Sequence, residues 1–290
     1  MKMLLKDFVE DYYLPSLSDL RESTRLGYAS AISLYVLPRF GDCELEEIKA
    51  FDIEQWLKSI EKPGAAEKAY KTLRQIIRRA IDWDMFDAVD PTRKRIRLPK
   101  KKPYRPTVLS AKEVRELLRG FYGHELEAAV ICAVTLGLRR GEACGLMWAD
   151  IDLRSGLVKI ERSAQYIEGR VVVVDPKTEK SARGCYLPHF AIRRLREIKG
   201  AGSIIGEMTP EEVSRRYKAH CKKRGLPYTS FTNLRHTWAT LALAGGADSA
   251  TVAAMLGHSQ IATTYEHYLV PDKKIYKNAQ KGFESLILGN

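Results

Sequence analysis

Arginine, histidine, lysine and tyrosine, the side chains that together attack a phosphodiester, stand in three separated stretches of this chain. From Phe231 to Tyr268 the residues FTNLRHTWATLALAGGADSATVAAMLGHSQIATTYEHY set out Arg235, then His258 behind Leu256-Gly257, then Tyr265 and Tyr268. Upstream, Arg139 and Arg140 lie in TLGLRRGEACGLMW (Thr135 to Trp148), and Lys177 lies in DPKTEKSARGCYLP (Asp175 to Pro188). Attack on a phosphodiester needs charge neutralisation, a nucleophile and a proton for the departing oxygen. Metal-free chemistry finds all three in side chains, and most of the catalysis is positioning and electrostatics. Arginine suits the first need because its planar fork bonds two phosphate oxygens and stays charged. A phenol attacks only as its proton leaves, and free phenol titrates near pH ~10.

The elements that must hold these groups divide the chain. The first 90 residues read as helices only. Thr24 caps a helix with Tyr28, Ile32, Tyr35 and Val36 on one face, ended by Pro38. Asp52 begins another, with Ile53, Trp56, Leu57 and Ile60 inward, and Pro63-Gly64 breaks the chain. A helix from about Ala65 to Trp83 turns Ala69, Tyr70, Leu73, Ile76, Ile77 and Ala80 inward and carries Lys71, Arg74 and Arg78 on its other side. Residues 91–106 read as a linker. From Asp90 the stretch holds eight Lys or Arg and four prolines, including Arg93, Lys94, Arg95, Lys100, Lys101 and Lys102. It is either a solubilising hinge or a track along a phosphate backbone.

A capping box at Ser110 and Glu113 opens a mixed domain over residues 107–290. A helix over Leu126 to Leu136 has Leu126, Val130 and Ala133 on one side. Three strands follow, at Leu157 to Ile160, Arg170 to Val174 and Gly184 to Leu187, spaced for a small antiparallel sheet. The chain is then helical to its end. Thr209 and Glu212 form another capping box, Leu234, Trp238 and Leu241 pack inward from the helix of Arg235, and glycines stop that helix and the next. A final helix begins near residue 271, with Ile275, Phe283 and Leu286 as anchors. The fold class is mostly α with a small antiparallel β-sheet.

The formal charge of +12 and a pI of about 9.4 favour a polyanionic partner. Five widely spaced cysteines without a C-x-x-C fit a reducing compartment and exclude a zinc knuckle of that type. No apolar run is long enough for a signal peptide or a membrane span. These features describe a cytoplasmic protein that meets no membrane.

Together the boxes resemble those of the tyrosine recombinases, the phage integrase family. The string from Thr135 through Leu146-Met-Trp-Ala-Asp-Ile-Asp152 resembles the family's first arginine box, and matches Arg139 to its catalytic arginine and Glu142 to an acidic residue that orients a neighbour. The string P-K-T-x-x-S-x-R-x-x-x-L-P matches the family's hairpin, whose lysine protonates the departing 5′ oxygen; Lys177 takes that place, with Lys180 second. Arg235 matches the second arginine. His258 matches the third box, with a hydrogen bond to a nonbridging oxygen implied. The family's tyrosine follows at +9 or +10 from that histidine; here +9 is His267 and +10 is Tyr268, so Tyr268 is the expected nucleophile and Tyr265 a packing residue.

One position departs from the pattern. Three residues before Arg235 the family has His and this chain has Thr232, which donates a hydrogen bond but is no base near neutral pH. His236 points about 100° away from Arg235 on a helix and does not substitute. The resemblance implies a SAM-like helical core-binding domain over residues 1–90 and a recombinase catalytic domain beyond the linker. It further implies a 3′-phosphotyrosine intermediate, integration or excision of a mobile element, and neither cofactor nor metal. Double-stranded DNA is the implied partner, bound in a nucleoid-associated homotetramer linked through the final helix, with accessory DNA-bending or excision factors. The family's arm-binding N-terminal domain has no counterpart, as in a simple recombinase of Xer size or a trimmed chain. Two other readings use the same residues: a DNA-binding protein with lost or weakened catalysis, and a type IB topoisomerase-like nicking and closing enzyme.

Overall fold

The computed structural model describes residues 3–87, 89–167, 169–174 and 182–257. The chain divides into two compact units, Met1–Tyr104 and Arg105–Asn290.

The first unit is helical. Helix α1 (Leu5–Phe8) runs into a π-helical turn, Val9–Tyr13; α2 (Glu22–Ala31) continues through a second π-helical turn, Ile32–Val36, into α3 (Leu37–Phe40). Helices α4 (Ala50–Ser59) and α5 (Pro63–Asp82) complete it. Several expected boundaries move, among them the helix expected from Asp52, which begins at Ala50. The helix holding Thr24 starts at Glu22, behind Arg21, and Pro38 does not end it. Pro38 falls in the first turn of α3, where a missing N–H breaks no helical bond; Pro63 likewise opens α5. The inward face of α5 is as its apolar spacing predicts: Ala69, Tyr70, Leu73, Ile76, Ile77 and Ala80 are all buried, and Ala66 joins them. Phe40 and Trp56 pack edge to face, 5.1 Å between centroids.

The basic stretch expected as a linker belongs to this unit through Tyr104. Ile96 packs on its core, and the Arg97 N–H donates to Glu54 Oε1 at 2.8 Å.

In the second unit, α6 (Ala111–Gly120) starts at the expected box: Ser110 N–H donates to Glu113 Oε2 at 2.7 Å, and Glu113 N–H to Ser110 Oγ at 3.3 Å. Helix α7 (Glu127–Leu136) is buried on every side, not on the single face expected, and is the central helix of the core. Helix α8 (Arg140–Gly145) follows it closely.

Among the described residues four strands form where three were expected. β1 (Leu157–Ile160) pairs antiparallel with β4 (Arg183–Tyr186), placing Ile160 opposite Arg183. β2 (Ser163–Ile167) pairs antiparallel with β3 (Arg170–Val174) in a separate ladder.

Helix α9 (His189–Glu197) and α10 (Pro210–Arg224) come next, the latter opened by Thr209 and Glu212 as expected. Helix α11 (Asn233–Ala244) buries Leu234, Arg235, Thr237, Ala239 and Leu243; Trp238 and Leu241 are only half-buried. Helix α12 (Ser249–Leu256) is capped by Asp248 and ends on Gly257 in the left-handed region. Among the described residues no helix is long and apolar enough to cross a membrane.

Candidate active site

The stop at Gly137 aims Arg139. Gly137 closes α7 at φ +62°, and a Cβ there would lie 2.6 Å from Trp238 and 2.9 Å from Leu256. Both the backbone angle and the close approach demand glycine. We expect Gly137→Ala to lower unfolding free energy by about 2–4 kcal/mol, combining left-handed strain with overpacking. Urea denaturation measures it, and a loss below about 1 kcal/mol would mean that the turn relaxes.

Just past the turn, Arg139 is the N-cap of α8. Its N–H donates to Glu142 Oε2 at 2.8 Å, its Nη1 to Glu142 Oε1 at 2.6 Å, and its Nη2 to the Gly257 carbonyl at 3.1 Å. Its side chain remains 43% exposed while that of Glu142 is 7% exposed.

Glu142 gathers arginines from distant parts of the chain. Arg183, on β4, donates through Nη1 and Nη2 to its two carboxylate oxygens at 3.0 and 2.9 Å. Arg235, buried on α11, has Nη1 4.0 Å from Glu142 Oε2. Burial alone pushes the Glu142 carboxyl up. The bidentate Arg183 pair, the Arg139 N–H and the Arg139 charge outweigh it and leave the carboxyl below its ordinary value. The carboxylate therefore stays ionised, as three guanidinium groups require.

The same three arginines meet again at the end of α12. The last carbonyls of a helix lack intrahelical partners. The Gly257 N–H serves the Ala253 and Ala254 carbonyls. The next three go to arginines: Met255 accepts from Arg183 Nε at 2.6 Å, Leu256 from Arg235 Nη2 at 2.8 Å, and Gly257 from Arg139 Nη2 at 3.1 Å. Arg235 also donates to the Gly137 carbonyl at 2.9 Å, tying the α7 stop to the same cluster. Cations suit a helix C-terminus electrostatically.

Arg139 and Glu142, predicted from the first arginine box, thus share one locus with Arg235, predicted from another. Thr232 is the exposed N-cap residue of α11 with no side-chain capping bond, whereas Arg235 one turn on is buried. Lys177, Lys180, His258, Tyr265 and Tyr268 lie outside the described residues, as does the expected final helix. The sequence places Arg183 within the P-K-T-x-x-S-x-R string without marking a role for it; its position in that string, six residues after Lys177, was the signal available. Among the described residues no group of three His, Cys, Asp or Glu is placed to hold a metal ion.

The basic residues of the first unit form a second locus. Lys71 pairs with Glu67 at 2.6 Å, and Lys101 reaches the same carboxylate. The Lys101 and Lys71 bonds pull Glu67 down to about 2. Arg78, Lys94, Arg95, Lys100 and Lys102 are exposed, Arg93 stands 4.0 Å from Asp90, and Arg74 is half-buried. Lys68, Lys71 and Lys101 line one groove with Ser23, Thr24 and Gln75.

Comparison with known proteins agrees with this architecture. The profile of the phage integrase family matches residues 107–274, and that of the phage integrase N-terminal SAM-like domain matches residues 4–61. The chain belongs to the phage integrase family, the tyrosine-type site-specific recombinases that break and rejoin DNA strands. A tyrosine recombinase XerC-like protein of Caldanaerobacter subterraneus subsp. tengcongensis is 26% identical over 273 residues, 78% of this chain and 69% of that protein. The Tn1549 transposon integrase, solved in complex with a circular intermediate DNA, superposes with a TM-score of 0.81 at 16% identity, covering 97% of this chain and 99% of that one. A lambda integrase tetramer bound to a Holliday junction superposes with a TM-score of 0.70 at 22% identity, covering 94% and 78%.

Proposed function

We propose that this chain cuts and rejoins duplex DNA at a specific site, with Tyr268 attacking the phosphodiester to leave a 3′-phosphotyrosine and a free 5′ hydroxyl. The observation that carries the reading is the convergence of Arg139 and Arg235 on one buried carboxylate, Glu142. Two guanidinium groups held this way present ten N–H bonds' worth of fixed geometry between them, part of it already spent on protein carbonyls. A phosphate entering the cluster replaces those contacts to neutral carbonyls with stronger hydrogen bonds to an anionic oxygen. In this scheme Arg139 and Arg235 stabilise the negative charge that spreads over the nonbridging oxygens. His258 donates to one of those oxygens, and Lys177 supplies the proton to the departing 5′ oxygen. Thr232 contributes a hydroxyl donor and no base, so the phenol loses its proton to water under the field of the two arginines.

The helical unit and its basic segment grip the duplex. Lys71, Arg74, Arg78, Arg93, Lys94, Arg95, Lys100, Lys101 and Lys102 are the expected phosphate contacts, sited on α5 and the extended stretch after it. Four protomers exchanging strands through a Holliday junction is the assembly this reading entails, as for the lambda integrase tetramer. Integration or excision of a mobile element is the corresponding role, as for the Tn1549 transposon integrase. Such a protein acts in the cytoplasm on the nucleoid, with DNA-bending or excision factors as accessory partners.

The test mixes the protein with two differently labelled duplexes carrying the core site of its own element. Holliday junctions and recombinant duplexes are expected, with binding that weakens steeply as salt rises. Relaxation of supercoiled DNA without any junction would move the assignment to a nicking and closing enzyme. Binding without cleavage would leave a DNA-binding protein that has lost its chemistry.

A further inference from the structure

We propose that Arg183 is a positioning residue of the active site, which sets the geometry of Arg139 and Arg235 without touching DNA. The inference rests on the recombinase reading above and adds a residue to it. Its basis is the double engagement of one guanidinium. Nη1 and Nη2 of Arg183 grip both oxygens of Glu142, and Nε grips the Met255 carbonyl at the end of α12. Nε, Nη1 and Nη2 of Arg183 each have a protein partner and the side chain is 7% exposed, so the guanidinium is committed to protein.

Each end of that grip governs a second arginine. Glu142 Oε1, held by Arg183, also accepts from Arg139 Nη1 at 2.6 Å. Met255, held by Arg183, is followed directly by Leu256 and Gly257, whose carbonyls accept from Arg235 and Arg139. The packing is close: a Cβ on Gly257 would lie 3.1 Å from Arg183 Nη1. A rigid planar fork is the feature this geometry requires, and it is the feature lysine lacks. An ammonium in its place satisfies one oxygen of Glu142 and lets both the carboxylate and the helix end shift. Misplacement of a reacting constellation by about 1 Å costs up to ~10²-fold in rate.

The experiment compares wild type, Arg183→Lys, Arg139→Ala and the double variant. It uses full-length protein on a suicide DNA substrate with the core site, at saturating protein. Arg183→Lys is expected to keep a cooperative melt and DNA affinity within about threefold of wild type. Its single-turnover rate of covalent adduct formation is expected to fall on the order of 10- to 10²-fold. Combined with Arg139→Ala, the second substitution should cost far less than it does alone, since both act through the same group. A wild-type rate in Arg183→Lys overturns the positioning role, and so does full additivity with Arg139→Ala. Should Arg183→Lys fail to fold, Arg183→Gln is measured in the same way. Loss of the fold in both variants would mark Arg183 as a strut and equally overturn the proposal. No adduct from wild type would instead remove the recombinase reading itself, which keeps the two failures apart.

Discussion

Tyr268→Phe is expected to abolish covalent protein–DNA adduct, a loss on the order of 10⁴–10⁶-fold, while Tyr265→Phe retains it. Phenylalanine keeps the ring and removes the only atom that can bond to phosphorus, so DNA affinity should hold. The choice between the tyrosines rests on spacing from His258. Tyr268 stands at +10, within the family's interval, and Tyr265 at +7 falls short of it. The phenol itself is a poor nucleophile at neutral pH, with a pKa near ~10. In the proposed mechanism its activation falls to the arginine cluster, because Thr232 supplies no base. Adduct that persists in Tyr268→Phe and vanishes in Tyr265→Phe would reverse the assignment. Gel separation of the labelled strand from its protein-linked form gives the readout.

Glu142→Ala is expected to be the most damaging substitution among the described residues. Removing one partner of a buried ion pair leaves uncompensated charge and costs about 3–5 kcal/mol. Here the remaining charges are Arg183 and Arg235, each 7% exposed, together with the more exposed Arg139. The midpoint of urea unfolding should fall accordingly, and cleavage should be lost even where the variant remains folded. The pH dependence has a definite sign. The Glu142 carboxyl lies below its ordinary value in the folded protein, chiefly because Arg183 and Arg139 outweigh its burial. Its contribution to stability is therefore fully present above the ordinary carboxylate range and is lost as pH falls through the folded value. In Glu142→Ala that component of the acid-side slope should disappear. An unchanged unfolding midpoint would mean that the three guanidinium groups find other anions.

Local rules carried much of the fold, and long-range ones did not. The boxes at Ser110 and Thr209 span four residues each, so they were readable from spacing and formed as read. The α5 stripe was readable because burial there has one side. Helix α7 has no single buried side; a run of Ala, Val, Ile and Leu carries no periodic signal about how many neighbours surround it. Strand β2, SAQYI, is short and mixed in polarity, and it exists by pairing with β3. Pro38 reads as a stop only when the helix is assumed to be uniform; it opens α3 after a π-helical turn.

The site divides along the same line. Arg139 and Glu142 are three residues apart, and their mutual bonds follow from helix geometry. Arg183 and Arg235 arrive from β4 and α11, and no local pattern announces that both would meet Glu142. Nor does sequence treat arginine as a core residue, yet Arg235 is 5% exposed. The Gly137 and Leu256 carbonyls, which accept from Arg235, and the nearby Glu142 carboxylate offset the cost of that burial.

The central claim is that Arg139 and Arg235, fixed through Glu142, offset the charge of the phosphate under attack. Arg139 tests it best, because its side chain is 43% exposed and its loss leaves the buried Arg183–Glu142 pair in place. The measurement is single-turnover adduct formation by Arg139→Ala on two substrates. One carries the natural phosphodiester at the scissile position, the other a methylphosphonate, in which a nonbridging oxygen is replaced by a neutral methyl group. The account predicts a loss of about 10²–10³-fold on the phosphodiester, the usual cost of one charge-stabilising donor, and recovery of most of that loss on the methylphosphonate. An equal deficit on both substrates, in a variant that melts like wild type, would contradict it.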